Sequence, residues 1–236
     1  MLRRMPAALA IVGALTLTTH AAADPVDNPG DFVVTIGGGY LAIGTHSPQE
    51  RFNIDALNPP VVSGTITDTS GTTFIPASGI IFPPTDRLVD SPIGPINVHI
   101  TIVPTADGSG NLNALTGLST VSFSVRIHLT DDGGILTSNC YIGSPSGISI
   151  NLTTDVSGTL NGIPYDQTTG LAGYVDNGFA VPGASGCCTL GLCNGAINSN
   201  LGIPAGPGIN KAVLLDDTDP TNPVPTNQFV PIFTGS

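Results

Sequence analysis

From Leu118 to Thr130 the apolar residues Val121, Phe123, Val125, Ile127 and Leu129 alternate without interruption with Ser122, Ser124, Arg126, His128 and Thr130. A period of two puts successive side chains on opposite faces of an extended chain, so the segment predicts a long strand with one buried and one wet face, as in an antiparallel sheet. Upstream, Ile96, Val98, Ile100 and Ile102 alternate with Asn97, His99, Thr101 and Val103, and the turn-like Asp107-Gly108-Ser109-Gly110-Asn111 separates the two runs. The runs are expected to pair as a long hairpin or to neighbour one another, and their aligned polar faces carry His99 and His128. Further strands are expected at Phe32–Ile36, Arg51–Leu57, Val61–Thr67, Thr72–Ile75, Ile148–Leu152, Val156–Leu160, Leu171–Val175 and Ala212–Leu215, with Gly, Pro, Asn or Asp in nearly every gap.

One short helix is expected over 192–201, where Leu192, Ala196, Ile197 and Leu201 fall near one face and Gly202 supplies a stop. The 30 glycines and 21 prolines approach the level of disordered chains, but Val, Ile and Leu are plentiful and regularly spaced. The fold class is therefore read as all-β: an antiparallel β-sandwich-like domain with one short helix and, as an option, an appended small sheet or subdomain. Ser63-Gly64-Thr65-Ile66 and Ser157-Gly158-Thr159-Leu160 are alike and are read as two similar hairpins.

At the N-terminus Arg3 and Arg4 precede the apolar run Ala7 to Leu17, and Ala21-Ala22-Ala23 precede Asp24. A basic start, an apolar segment too short to anchor and a small-residue cleavage site predict a secretory signal peptide at 1–23. The expected organisation is that signal, a secreted β-rich domain at 24–215 and a Pro/Asp-rich extended tail at 216–236. The domain is read as one unit or as two packed subdomains with a break near 131–147. The tail contains Pro220, Pro223, Pro225 and Pro231, and is expected to carry no transmembrane anchor.

Six basic residues face seventeen acidic ones for a net charge of −11, and only Arg51, Arg87, Arg126 and Lys211 of the basic set lie beyond the signal. That balance argues against nucleic acid and anionic lipid as partners, since neither is drawn to a negative surface. The lack of Trp argues against a stacking platform for sugars or bases.

Cys140, Cys187, Cys188 and Cys193 make an even set, which in an exported protein reads as two disulfides. A bridge between the adjacent Cys187 and Cys188 would be strained, so the favoured scheme joins Cys140 to one of them and the other to Cys193. A metal site is the alternative, disfavoured by the lack of a nearby histidine and of Cys-x-x-Cys spacing.

Candidate sites are few. His99 and His128, side by side, would suit zinc, copper or general-base chemistry, although a hydroxyl-rich sheet face also displays histidines with no such role; His46 is weaker. Asp107, Ser109, Asn111 and Asn113 alternate as calcium ligands do, but lack a terminal bidentate carboxylate and read better as a turn. Asp216, Asp217 and Asp219 read as solvated tail charges. Ser144, Ser146 and Ser185 have no Gly-x-Ser-x-Gly frame, the single Glu50 names no carboxylate pair, and Gly37-Gly38-Gly39 lacks the ending of a phosphate loop.

At Cys140-Tyr141-Ile142-Gly143-Ser144, at Ile150-Asn151-Leu152-Thr153-Thr154 and from Val175-Asp176-Asn177-Gly178-Phe179 through Ala184-Ser185-Gly186-Cys187, the chain resembles a group of uncharacterised secreted, β-rich proteins of actinobacteria. Ile75-Pro76-Ala77-Ser78-Gly79 and Phe82-Pro83-Pro84 fit the same group. The resemblance implies an exported β fold with Cys140 paired to Cys187, which leaves Cys188 for Cys193; it implies no activity or ligand.

The functional expectation is an exported, non-catalytic β protein that acts by binding or structural contact at the cell envelope or in the medium. Its partner would be an envelope polymer, a surface protein or an apolar small molecule, with no cofactor. One alternative is a carrier that holds an apolar ligand between its sheets, motivated by the aliphatic excess and by Ile80-Ile81-Phe82-Pro83-Pro84. The other is a secreted hydrolase using His99 or His128.

Overall fold

The alternating run becomes the longest strand of the molecule, Ser119–Asp131, and the rest of the fold is arranged along it. The computed structural model describes residues 30–90, 94–113, 115–188, 191–215 and 223–232; the segment read as a signal peptide and the carboxylates of Asp216, Asp217 and Asp219 lie outside the described residues. In chain order the first strands are β1 (Gly30–Ile36), β2 (Tyr40–Ile43), β3 (Glu50–Asn53), β4 (Val61–Ile66), β5 (Thr72–Ile75), β6 (Ile80–Ile81) and β7 (Thr85–Val89). Next come β8 (Ile96–Pro104), β9 (Gly108–Leu112), the long β10 (Ser119–Asp131), β11 (Tyr141–Ile142), β12 (Ile148–Thr153), β13 (Val156–Ser157) and β14 (Leu160–Asn161). The chain continues with β15 (Ile163–Asp166), β16 (Leu171–Asp176), β17 (Ala184–Ser185), helix α1 (Leu192–Leu201), β18 (Lys211–Leu214) and β19 (Asn227–Ile232).

The all-β, antiparallel expectation holds. Among the described residues seventeen strands join one sheet, and β13 with β14 forms the appended small one. The layers of the domain are parts of a single hydrogen-bonded circuit: β1 pairs with β4, β4 with β5, β5 with β9, β9 with β10, β10 with β12, β12 with β16, β16 with β19, and β19 again with β1. Closure leaves none of these eight strands as a free edge along its paired length. Shorter strands branch from the circuit as β11 and β17 from β10, β6 from β4 and β15 from β16, and two longer extensions leave it: β8 and β7 from the far half of β10, and β18, β2 and β3 from the far half of β16. An ion pair between Arg87 of β7 and Glu50 of β3 ties the two longer extensions together.

The expected hairpin is present with its turn displaced. Pro104 opposes Val125 and Ser109 opposes Ser122, so β8 and β9 form one arm against β10; the Thr105 amide still donates to the Ser124 carbonyl at 2.9 Å, and the extra residues between the two strands form a bulge. The reversal itself lies at 113–118, where Asn113 Oδ1 accepts the Leu115 and Thr116 amides at 3.0 and 3.1 Å. Most of Asp107–Asn111, read as a turn, is therefore strand, since β9 runs from Gly108 to Leu112.

The segment read as a tail beyond 215 contributes β19, which stands between β1 and β16. Leu136, Cys140 and Ile142, from the segment 131–147, belong to the same buried apolar cluster as Phe32 and Leu214. Ser63-Gly64-Thr65-Ile66 and Ser157-Gly158-Thr159-Leu160 both lie in hairpins, as expected, but at different places in them: the first is an arm of the β4–β5 pair, whereas Gly158, at φ +60°, turns the chain between β13 and β14.

Helix α1 covers the expected residues, with Ile197 and Leu201 buried and Gly202 closing it in the left-handed conformation, its amide N–H donating to the Asn198 carbonyl. The run Ala212-Val213-Leu214-Leu215 is buried on both faces. Val213 and Leu215 pack with Tyr40 and Val175 under the partly buried Leu160 and Ile163, while Ala212 and Leu214 face the main core.

Candidate functional site

The inward residues of β8, β10 and β12 are almost all aliphatic: Ile100 and Ile102, then Phe123, Val125, Ile127 and Leu129, then Ile148, Ile150 and Leu152. Opposite them stand Leu41 and Ile43 of β2, Ala212 and Leu214 of β18, Phe179, Val181 and Leu201 of α1. The two walls do not meet. Between them lies a cavity of about 210 Å³. Ala212 offers only a methyl group where its neighbours are Leu and Ile, and the sequence contains no Trp to fill the space.

The cavity opens between two segments. Phe52 and Ile54 are half-buried on one lip, and Phe82 and Pro83 on the other. Around them the exposed Asn53, Asp55, Asn58, Pro84 and Thr85 make a wet rim. The first lip is shaped by Asp55, whose Oδ1 accepts the Leu57 amide at 2.9 Å and whose carbonyl accepts the Asn58 amide at 3.1 Å. That turn leaves Leu57 96% exposed beside the mouth.

Energetically the cavity is conspicuous. Wall atoms that face open space forgo the contacts a packed core would give them. Water gains little there, since the deep walls are aliphatic and offer it few polar partners. An apolar occupant would supply the missing contacts.

A second, smaller void of about 30 Å³ lies beyond Leu152 and Leu214, which line both spaces. Its walls include Thr73, Ser119 and Tyr174, and the Tyr174 hydroxyl donates to Ser119 Oγ at 2.9 Å. Burial pushes the Tyr174 phenol above its usual pKa, opposed by the Ser119 bond.

His99 and His128 do share the outer face of the sheet, as expected. His99 opposes Thr130 and His128 opposes Thr101, a diagonal offset of two residues. Their partners differ. His99 lies between Asp86 Oδ1, 2.6 Å from Nδ1, and Asp132 Oδ1, 3.0 Å from Nε2. His128 stacks on Tyr141 at 4.6 Å between ring centroids and bonds the Ser138 carbonyl through Nε2 at 3.1 Å. Arg126 sits over the same Tyr141 ring at 3.7 Å. The two histidines thus belong to separate sets, and among the described residues no three His, Cys, Asp or Glu side chains gather as a metal site would need.

Asp107 and Asn111 are also drawn apart. Asp107 Oδ1 accepts the Ala77 amide at 2.8 Å, and Asn111 Nδ2 donates to the Ser70 carbonyl at 3.1 Å. Because β9 is extended, its alternate side chains are spaced by about 7 Å and do not wrap one ion. His46 lies exposed in the 45–48 loop, and Ser144 and Ser146 bond each other at 2.7 Å.

The bonds to Asp86, and then to Asp132, raise the His99 pKa above its ordinary 6.5. A raised folded value means that the stabilising effect of His99 is complete below pH 6.5 and is lost as pH rises through the higher folded value. Thermal melts from pH 5 to 9 are therefore expected to show a fall in Tm on the alkaline side that His99→Gln removes. A variant that keeps the full pH dependence would assign it to other groups.

Cys140 and Cys187 form a disulfide spanning 47 positions, with both side chains fully buried. It joins the segment after β10 to the approach of α1. Cys188 and Cys193 stand beside one another as thiols, the Cys193 amide donating to Cys188 Sγ at 2.9 Å. Burial, then the Cys188 contact, pushes the Cys193 thiol up to about 11.

The sequence marks one lip, Phe82-Pro83-Pro84, by its prolines. The other lip departs from the strand expected over 51–57, because β3 ends at Asn53. Comparison with known proteins adds nothing to this geometry: the chain matches no protein-family model, no curated protein and no solved structure.

Proposed function

We propose that this chain is an exported binding protein that holds a small apolar molecule, or the end of a longer alkyl chain, between its sheets. The observation that carries the reading is the aliphatic cavity with a wet mouth between residues 52–58 and 82–85. Export is supported by the signal-like pattern at 1–23 and by the Cys140–Cys187 disulfide, which suits an oxidising compartment. In that compartment Cys188 and Cys193 are expected to pass two electrons and two protons to a disulfide-exchanging oxidant and become a second bridge. Intact mass would then lie about four hydrogens below the fully reduced chain. Two free thiols by alkylation would contradict this.

Size sets the occupant. A cavity of about 150 Å³ accepts benzene, so this one suits about eight to ten heavy atoms. Burying eight methylenes at about 0.8 kcal/mol each gives about 6 kcal/mol, which corresponds to dissociation constants of tens of micromolar before ordering costs.

The test uses 1-naphthylamine, a neutral dye of about the size the cavity takes, whose amine can stay at the wet mouth and whose emission responds to apolar surroundings. Without Trp the protein contributes little emission of its own. Saturable, one-to-one brightening reversed by decanol is the expected result, with about 2.7 kcal/mol of added stability at one hundred times the dissociation constant. No saturable signal from the folded protein would overturn the proposal.

A further inference from the structure

Resting on that reading, we infer that the site is selective for amphiphiles whose polar end carries no negative charge, and that Asp55 and the uncharged rim set this choice. The argument begins with what the mouth offers. Asn53, Asn58 and Thr85 present amides and a hydroxyl, each able both to donate and to accept. They suit an alcohol, an amide or an ester equally well. The one ionisable side chain among the described residues lining the cavity is the exposed Asp55, an acid.

A carboxylate or phosphate held at this mouth would lack a basic partner in the lining. It would also sit near Asp55 and within a chain of net charge −11. Arg87 approaches from outside, its Cζ 5.9 Å from the Phe52 ring centroid, but its charge is met by Glu50. Two like charges about 4 Å apart repel by about 1 kcal/mol even in bulk water, and by more where protein walls replace solvent. The rim therefore penalises an anion and leaves a neutral head untouched. Sequence alone did not show this, because Asp55 and Thr85 are thirty positions apart and meet only across the mouth.

The experiment displaces 1-naphthylamine from the full chain at pH 7.5 with decanol and with decanoate, which share a chain and differ at the head. Decanol is expected to displace the dye at a concentration at least tenfold lower than decanoate, with the gap narrowing in high salt. Asp55→Asn, which keeps a side-chain oxygen to accept the Leu57 amide, and, on the opposite lip, Thr85→Lys are each expected to improve decanoate about tenfold relative to decanol. Both positions are exposed, so either variant suffices if the other fails to fold. Decanoate equal to or better than decanol in the parent protein would overturn the charge selection while leaving the apolar site standing. Failure of the dye to bind at all would instead overturn the binding reading, and this inference with it.

Discussion

Replacing Cys140 and Cys187 together with Ala lowers the unfolding free energy by about 4 kcal/mol and the Tm by roughly 10 °C. The figure follows from the 47-position separation: closing a loop of that length removes about 4 kcal/mol of chain entropy from the unfolded state. Backbone hydrogen bonds that the substitutions keep hold both ends of the bridge in place. The Cys140 carbonyl accepts the Leu129 amide at 3.0 Å, the Cys187 carbonyl accepts the Thr137 amide at 3.0 Å, and the Cys187 amide donates to Asn194 Oδ1 of α1 at 2.9 Å. The bridge thus fastens the end of β10 and the start of α1 to one point, and Ile142 and Leu201 of the cavity wall hang from those segments. Chemical denaturation under matched conditions measures the loss. A change below about 1 kcal/mol would mean that the surrounding packing already restrains the unfolded chain.

Filling the cavity is expected to separate binding from stability. Ala212 lies in the wall opposite Leu41 in the register of β18 with β2, and both line the space. Ala212→Phe places a ring of the size that about 150 Å³ accommodates into a void of about 210 Å³. In a packed core such an insertion costs about 1–3 kcal/mol. Here the new ring contacts walls that had no partner, so stability is expected to hold or rise. Dye binding is expected to weaken at least about a hundredfold, or 2.8 kcal/mol. Tight binding by a stable Ala212→Phe protein would place the ligand elsewhere.

Local features of the fold were legible in the sequence. Unbroken alternation located β10, and apolar spacing with Gly202 located α1, because each depends on neighbours in the chain. The misread segments depend on distant ones. Asp107-Gly108-Ser109-Gly110-Asn111 has turn composition, yet Gly110 serves close approach: a Cβ there would lie 2.2 Å from the Thr120 carbonyl oxygen and 2.8 Å from Thr73 Oγ1. Its strand is squeezed between β5 and β10, where no side chain fits. Likewise β19 has the look of a tail, with Pro231 inside it and Pro223 and Pro225 before it. What makes it a strand is the gap between β1 and β16 that its backbone closes, helped by buried Asn227, whose Nδ2 donates to the Leu214 carbonyl at 2.6 Å.

The candidate site divides in the same way. The Pro-rich lip was readable as an oddity, since an apolar segment with two prolines cannot be a central strand. The cavity was not readable, because an Ile that packs and an Ile that faces a void look identical in sequence. The histidines were placed on the correct face by alternation, but their separation into an Asp86/Asp132 set and a Tyr141/Ser138 set needed the positions of four other segments.

The central claim is that the space between the walls is a binding site, and native mass spectrometry of protein purified without detergent tests it most directly. The account expects a complex of protein with one small apolar molecule, either carried through purification or taken up from a lipid extract, released on denaturation and absent from Ala212→Phe. A parent protein that shows only its own mass, before and after exposure to the extract, would contradict it.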